Sequence, residues 1–267
     1  MAILTISREF GSGGREIGME VAGALGYEYV DKARILSDVS MTGKKWEEWG
    51  KDLDEHCPTL WEKFDRSFRG FAALVQASIL KYAMKNNVVI IGRGGNFLLK
   101  DVPHALAVRI TAPSDSRVAR IMERDSVDRA TAKWLIEKTD RDRECFIRTI
   151  YGKEWDNAEW YDMAFDTETR SLKEIVEILK RELLLREGFR GDAAMKALGL
   201  REAAARIRAG ILTNPSFYVP TLDVFIEDDS IVIRGVVHSP KEHKHIEDAA
   251  LEIAGEFRVR CELHYRG

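Results

Sequence analysis

The stretch Ile6-Ser-Arg-Glu-Phe-Gly-Ser-Gly-Gly-Arg-Glu-Ile17 joins a short apolar run, Ala2 to Ile6, to a segment in which Ile17, Val21 and Leu25 recur at four-residue spacing. Gly26 then ends the repeat as a C-cap glycine does. Strand, glycine loop and helix in this order aim main-chain N–H groups at one point, at the positive end of a helix, where an anion is held. Gly11, Ser12, Gly13, Gly14 and Arg15 are therefore the candidate phosphate-binding residues. The strict pattern G-x-x-x-x-G-K-[ST] is not met, because Arg8 stands at the first glycine, Gly14 at the lysine and Arg15 at the Ser/Thr position. Arg15 begins the helix and is expected to stand in for the lysine by curling back over the phosphates. The bland alternative is a tight βα turn without a ligand.

Outward from the loop, residues 27–31, 88–91, 105–111 and 163–166 read as short strands. Helical spacing marks 66–85, through Phe68, Phe71, Val75, Ile79 and Tyr82, and then 114–124, 128–138 and 140–151. Leu172, Ile175, Leu179 and Leu183 mark a long closing helix, and the polar region 38–61 reads as an irregular cover. Strands alternating with helices predict an α/β fold, a mostly parallel sheet with helices on both faces. Past Glu187-Gly-Phe-Arg-Gly-Asp192 the pattern becomes helix, strand, strand, helix, strand, a small C-terminal α+β (αββαβ) unit. The expected division is 1–190 and 191–267.

Composition narrows the function classes. Apolar residues at 45% and charged residues at 32% suit a compact globular chain and argue against long disorder. A net charge of −3 gives no bulk attraction to nucleic acid or to an anionic membrane. Cys57, Cys145 and Cys261 are odd in number, far apart and without CxxC spacing, so they read as reduced thiols. No apolar run has the length of a membrane span and the first residues do not read as a secretory signal, so the expected location is the cytoplasm.

The string at 6–17, followed by Leu-Gly-Tyr-x-Tyr-Val-Asp-Lys at 25–32, resembles the cytidylate kinase-like family, a divergent branch of the P-loop nucleoside monophosphate kinases in which a lysine-free loop is usual. The resemblance spans residues 1 to 185 or so and is strong in the first 35. It implies a P-loop NTPase-type sheet and transfer of the γ-phosphoryl of ATP, with Mg²⁺, to CMP or dCMP. Ile91-Gly-Arg-Gly-Gly-Asn96 resembles the Gly-Arg-Asp segment of cytidylate kinases, which implies that Arg93 holds the acceptor phosphate, with Gly94 in place of the aspartate. Asp31 matches a family aspartate near the acceptor pocket, and Arg141 and Arg143 resemble lid arginines that neutralise the phosphoryl group in transit. Arg15, Arg141 and Arg143 are thus the catalytic candidates, Arg93 and Asp31 the substrate-binding ones; a solvated helix face is the alternative for 140–151.

No residue is assigned as a metal ligand: His238, His243 and His245 lack partners at ligand spacing and read as a solvated helix start. Trp46, Trp49 and Trp61 read as packing residues, with a lid or stacking surface as the alternative. Residues 197–267 resemble a BON domain, which implies a regulatory, ligand-sensing or oligomerising module with a protein or ligand partner. Three functional readings stay open: a nucleotide kinase, a kinase of another small metabolite, and a non-catalytic nucleotide sensor that signals through the C-terminal unit. The missing lysine at 14 and the missing aspartate at 94 favour the sensor.

Overall fold

The computed structural model describes residues 1–43, 46, 48, 49, 57 and 65–265. Strand β1 (Ile3–Arg8) lies at the centre of a five-stranded sheet. It pairs in parallel with β3 (Val88–Ile91) on one side and with β4 (Ala105–Thr111) on the other. Strands β2 (Glu28–Val30) and β5 (Met163–Asp166) complete the order β2-β3-β1-β4-β5, every pair parallel. Because every strand runs the same way, the turns after β1, β2 and β3 open on one edge of the sheet, the usual place of a ligand in such folds.

The helices that flank the sheet among the described residues include α1 (Gly14–Leu25), α2 (Lys32–Ser40), α3 (Arg66–Lys85), the single turn α4 (Gly95–Leu98), α5 (Ser114–Asp125), α6 (Arg129–Tyr151) and α7 (Leu172–Arg186). Strand alternation sorts the apolar side chains between them. Ile3, Val88 and Ile90 join a core with Phe71, Val75 and Ile79 of α3, whereas Leu4, Ile6, Val89 and Ile91 join one with α1 and α7. All of β3 is buried, as its unbroken apolar run requires. Local chemistry sets the helix ends: Asp65 and Asp128 accept from first-turn N–H groups, and Ser171 with Glu174 forms a capping box.

Helix α8 (Asp192–Thr213) leads into a three-stranded sheet of β6 (Asp223–Glu227), β7 (Ser230–Val237) and β8 (Arg258–Tyr265), with α9 (Pro240–Ala254) between the last two strands. Strand β7 pairs antiparallel with β6 and parallel with β8. Helix α8 serves both halves of the chain. Ala203, Ala204 and Ile207 share one core with Ala73 and Ala77 of α3 and with Ile231 and Ile233 of β7. Small side chains on the facing turns let the helices approach closely, and Arg66 and Arg69 of α3 donate to the carbonyls of Leu212 and Leu222.

Three expectations are corrected. The lid segment is one helix rather than two, since no glycine or proline interrupts 129–151 and the Thr139-Asp140 pair is compatible with a continuous helix. Helix α2 occupies the first part of the region read as irregular; most of the remainder, with Trp61, lies outside the described residues. Cys57 and Cys145 form a disulfide, with Cα atoms 5.6 Å apart, so spacing in sequence did not forecast proximity in space; Cys261 is a free thiol. Trp46 is buried in the α3 core and Trp49 meets Phe68 edge to face. Among the described residues, no helix is long and apolar enough to cross a membrane.

Two measurements check this architecture. Ile207→Ala, at a fully buried side chain, is expected to lower unfolding free energy in urea by about 2–5 kcal/mol. Thiol titration of the denatured, unreduced protein should find Cys261 alone reactive; reaction of all three cysteines would remove the Cys57–Cys145 bond.

Candidate functional site

The glycine loop leaves β1 at Arg8 and enters α1 at Gly14, and its N-cap, Gly13, has φ +85° and no side-chain cap. The first-turn N–H groups of α1 therefore lack side-chain acceptors and face a ligand position. Internal bonds stiffen the loop. The Ser12 hydroxyl donates to the Glu9 carbonyl at 2.9 Å, so this side chain closes the turn instead of facing the cavity. Thr167 Oγ1 donates to the Ser12 carbonyl at 3.0 Å, and Arg120 donates to Thr167 Oγ1 at 2.7 Å.

Helix α6 is tied to the same loop. The Phe10 N–H donates to Asp140 Oδ1 at 2.8 Å, Arg117 pairs with Asp140, and Arg117 Nε lies 3.7 Å from Glu9 Oε2. Arg143, one turn on, donates to the Arg8 carbonyl at 2.9 Å. Asp140 is thus an anchor of the loop, and Glu9 binds the loop to the Ala112 N–H at the end of β4.

Two cavities open at this edge. The loop cavity, about 850 Å³, is bounded by Gly11, Gly13, Gly14, Arg15, Tyr29, Asp31 and the α5 side chains Arg120 and Arg124. The inner cavity, about 280 Å³, is bounded by Ser7, Arg93, Asn96, Lys138, Phe146 and Trp155. Arg8, Lys32 and Arg143 line both. The Arg93 guanidinium stacks 4.5 Å from the centre of the Phe146 ring, and its carbonyl accepts from the Tyr151 hydroxyl at 2.5 Å. A side chain at Gly94 would fall 2.2 Å from Tyr151 Cε2, so the ring fills the place where the family aspartate would stand.

Burial depresses all four cations, and neighbouring cations add to it for Arg8, Lys32 and Arg143. Burial first, and then Arg93, Arg143 and Arg8, push the Lys32 ammonium down to about 8. Burial, reinforced by Arg143 and Arg93, pushes Arg8 down to about 9. Burial lowers Arg93 to about 10 and Arg143 to about 10, the latter against the pull of Asp140. Desolvated like charges at one wall are costly without an anion, and a phosphate group removes that cost.

Of the residues singled out in the sequence, the structure brings Gly11, Gly13, Gly14, Arg15, Asp31, Arg93 and Arg143 to these cavities. Asp31 caps α2 through the Arg34 N–H and lines the loop cavity, not the inner one. Arg141 is exposed on α6 and lines neither, because it points away from the face that carries Asp140 and Arg143. Arg8, Lys32 and Lys138 also line the cavities, and the loop pattern gives none of them a role, although Arg8 and Lys32 lie within the quoted strings. His243 bonds the Tyr265 hydroxyl at 3.0 Å, and no cluster of three metal-ligating side chains occurs among the described residues.

Residues 3–169 match the cytidylate kinase-like family. Among solved structures, the chain is similar to an uncharacterized protein from Eubacterium ventriosum ATCC 27560, at 22% identity and a TM-score of 0.52 over 68% of this chain and 98% of that one. It is also similar to shikimate kinase from Bacteroides thetaiotaomicron, at 14% identity and a TM-score of 0.41 over 68% and 98% of the two chains. A third similarity is to deoxyadenosine kinase from M. mycoides with bound dATP, at 14% identity and 0.39 over 68% and 98%. The likeness to the first concerns the fold alone. No curated protein matches the chain.

The depressed lysine makes a test with a defined sign. Between about 8 and its ordinary 10.5, Lys32 binds fewer protons folded than unfolded, so it makes stability rise with pH across that window. Lys32→Met should raise the melting temperature of the unliganded protein near neutral pH and flatten that rise. A wild type and variant that differ by a constant amount across the window would show that Lys32 is not desolvated there.

Proposed function

The chain belongs to the cytidylate kinase-like family, and we propose on that premise that it transfers the γ-phosphoryl group of ATP to a nucleoside monophosphate, with CMP or dCMP as the first acceptors to test. The observation that supports this reading best is the pair of cavities that meet at a wall of three cations. A donor and an acceptor that approach from opposite sides of one charged wall have the in-line arrangement phosphoryl transfer needs.

The donor phosphates rest on the loop N–H groups and the N-terminus of α1, with Arg15 at the mouth. The acceptor phosphate enters the inner cavity, where Arg93, held flat on Phe146, offers a two-pronged grip. Arg143 reaches the shared wall from α6, placing one cation of the lid beside the group in transit. The acceptor is already anionic near neutral pH, so no carboxylate base is needed. Helix α6 is bound to the loop through Asp140, and its closure over the substrates would exclude water and suppress hydrolysis.

Magnesium fits a site of this kind. Position 15 is an arginine where the loop pattern has a hydroxyl, and Asp31, one of the carboxylates that line the loop cavity, would hold the ion together with phosphate oxygens. Bound there, the ion would neutralise charge on the phosphates.

The unit 191–267 is proposed as a BON-like module that senses a ligand or partner. Its link to the nucleotide half would run through α8, which packs on α3.

An ADP-release assay over the four common nucleoside monophosphates tests the kinase reading. Turnover with at least one of them is expected, and Arg93→Ala should lower kcat/KM by roughly 100-fold through loss of charge and alignment at the acceptor phosphate. Arg143→Ala should cost more than Arg141→Ala, because only Arg143 lines the cavities. ATP binding without turnover on any acceptor would leave the nucleotide sensor as the account of this site.

A further inference from the structure

In the loop pattern G-x-x-x-x-G-K-[ST], laid on residues 8–15, a glycine is expected where Arg8 stands and a lysine where Gly14 stands. The two departures are one event in space. A Cβ on Gly14 would fall 2.6 Å from Arg8 Cβ and 3.1 Å from Arg8 Cγ, with Ile110 Cβ 3.3 Å away on the other side. A Cβ on Gly92, at the end of β3, would fall 2.0 Å from Arg8 Nη1. The stem of Arg8 therefore crosses the space that a side chain at 14 would use, and its guanidinium lies over Gly92. No lysine can grow from position 14 while Arg8 holds this path.

This path ends at the wall between the cavities, which Arg8 lines from both sides. Among the described residues, no carboxylate lies within ion-pair distance of its guanidinium. Arg143 and Arg93 repel it and Asp31 attracts it only from a distance, so the group is left with donors directed at an anion. Arg15 differs: it is exposed on the first turn of α1, lies near Tyr29 and lines the loop cavity only.

We propose that Arg8, and not Arg15, does the work of the missing loop lysine: its guanidinium grips the phosphoryl group as that group passes between the cavities, and Gly14 is a glycine because the stem of Arg8 needs its space, while Gly92 is set by its own φ of +73°. The inference rests on the phosphoryl-transfer reading above. In the step itself, an acceptor phosphate oxygen forms a bond to the γ-phosphorus as the bond from that phosphorus to the β,γ-bridging oxygen breaks, and ADP leaves with the electron pair. Arg8 donates hydrogen bonds throughout and gives up no proton.

The test compares wild type with Arg8→Ala, Arg8→Lys, Arg15→Ala and the double exchange Arg8→Gly with Gly14→Lys, read by turnover, by calorimetry with ATP and with inorganic tripolyphosphate, and by melting of the unliganded proteins. Arg8→Ala should lower kcat by roughly 100- to 1,000-fold, the usual loss on removing one preorganised donor to a developing charge. Its unliganded melting temperature should hold or rise, since a desolvated cation has gone. Arg8→Lys should keep part of the activity. The double exchange should recover about ten-fold or more over Arg8→Ala, worth about 1.4 kcal/mol, because the lysine then grows into the vacated path from the other side. Arg15→Ala should weaken ATP binding more than it lowers kcat. If kcat survives Arg8→Ala within about three-fold while Arg15→Ala loses it, the role belongs to Arg15 and the inference is overturned. If wild type turns over no acceptor, the kinase reading fails separately, and tripolyphosphate decides Arg8: binding lost in Arg8→Ala and regained in the double exchange keeps it as the phosphate grip, whereas binding unchanged in Arg8→Ala, or absent in wild type, sinks it.

Discussion

Three cationic side chains, Arg8, Lys32 and Arg143, form the wall shared by the two cavities at the edge of the parallel sheet, Arg93 stands in the inner cavity, and all four are pushed below their ordinary pKa ranges, burial first among the causes. Clustering buried cations in this way raises their cost, and an anion bound among them lowers it. The rest of the structure makes this arrangement tolerable. The strand β1 is fixed between β3 and β4, so Arg8 and the turn that carries Arg93 are set side by side by main-chain hydrogen bonds. The positions of these charges are therefore imposed by the sheet, whatever their mutual repulsion.

The third side of the wall is supplied by α6. Its attachment runs through Asp140, which accepts the Phe10 N–H and pairs with Arg117, so the segment that carries Arg143 is held to the glycine loop by a charge-assisted network. A single continuous helix transmits this anchor along its length. Phe146, on the same helix, supports Arg93 from the inner cavity, and Tyr151, about two turns beyond Arg143, occupies the space over Gly94. One helix thus shapes both the charge and the volume of the inner cavity.

The C-terminal sheet is joined to the same body through α8. Because α8 buries side chains toward α3 and toward β7 at once, it has no single apolar stripe, and neither half is fully covered without it. Helix α3 in turn packs under β1 and β3, so the C-terminal unit rests on the layer that supports the charged wall.

The order of residues alone is enough to specify the parallel α/β architecture, the glycine loop between β1 and α1, the place of Arg93 after β3, and the αββαβ order of the C-terminal unit. These follow from local signals: period-two and near-four-residue apolar spacing, glycine at helix ends, and turn residues between runs. Arg93 and Arg143 entered as candidates through the strings that resemble the family, and both line the inner cavity. What tertiary structure alone decided was which side chains share a volume. Arg8 and Gly14 are close in sequence, yet their exclusion of one another depends on β1 and α1 meeting at a fixed angle, and the part of Gly92 depends on β3 lying beside β1. The separation of Arg141 from Arg143, the bond between Cys57 and Cys145, and Tyr151 over Gly94 belong to the same class. A sequence records which groups follow one another along a chain, whereas steric exclusion and charge act across space, between segments that only the completed sheet brings together.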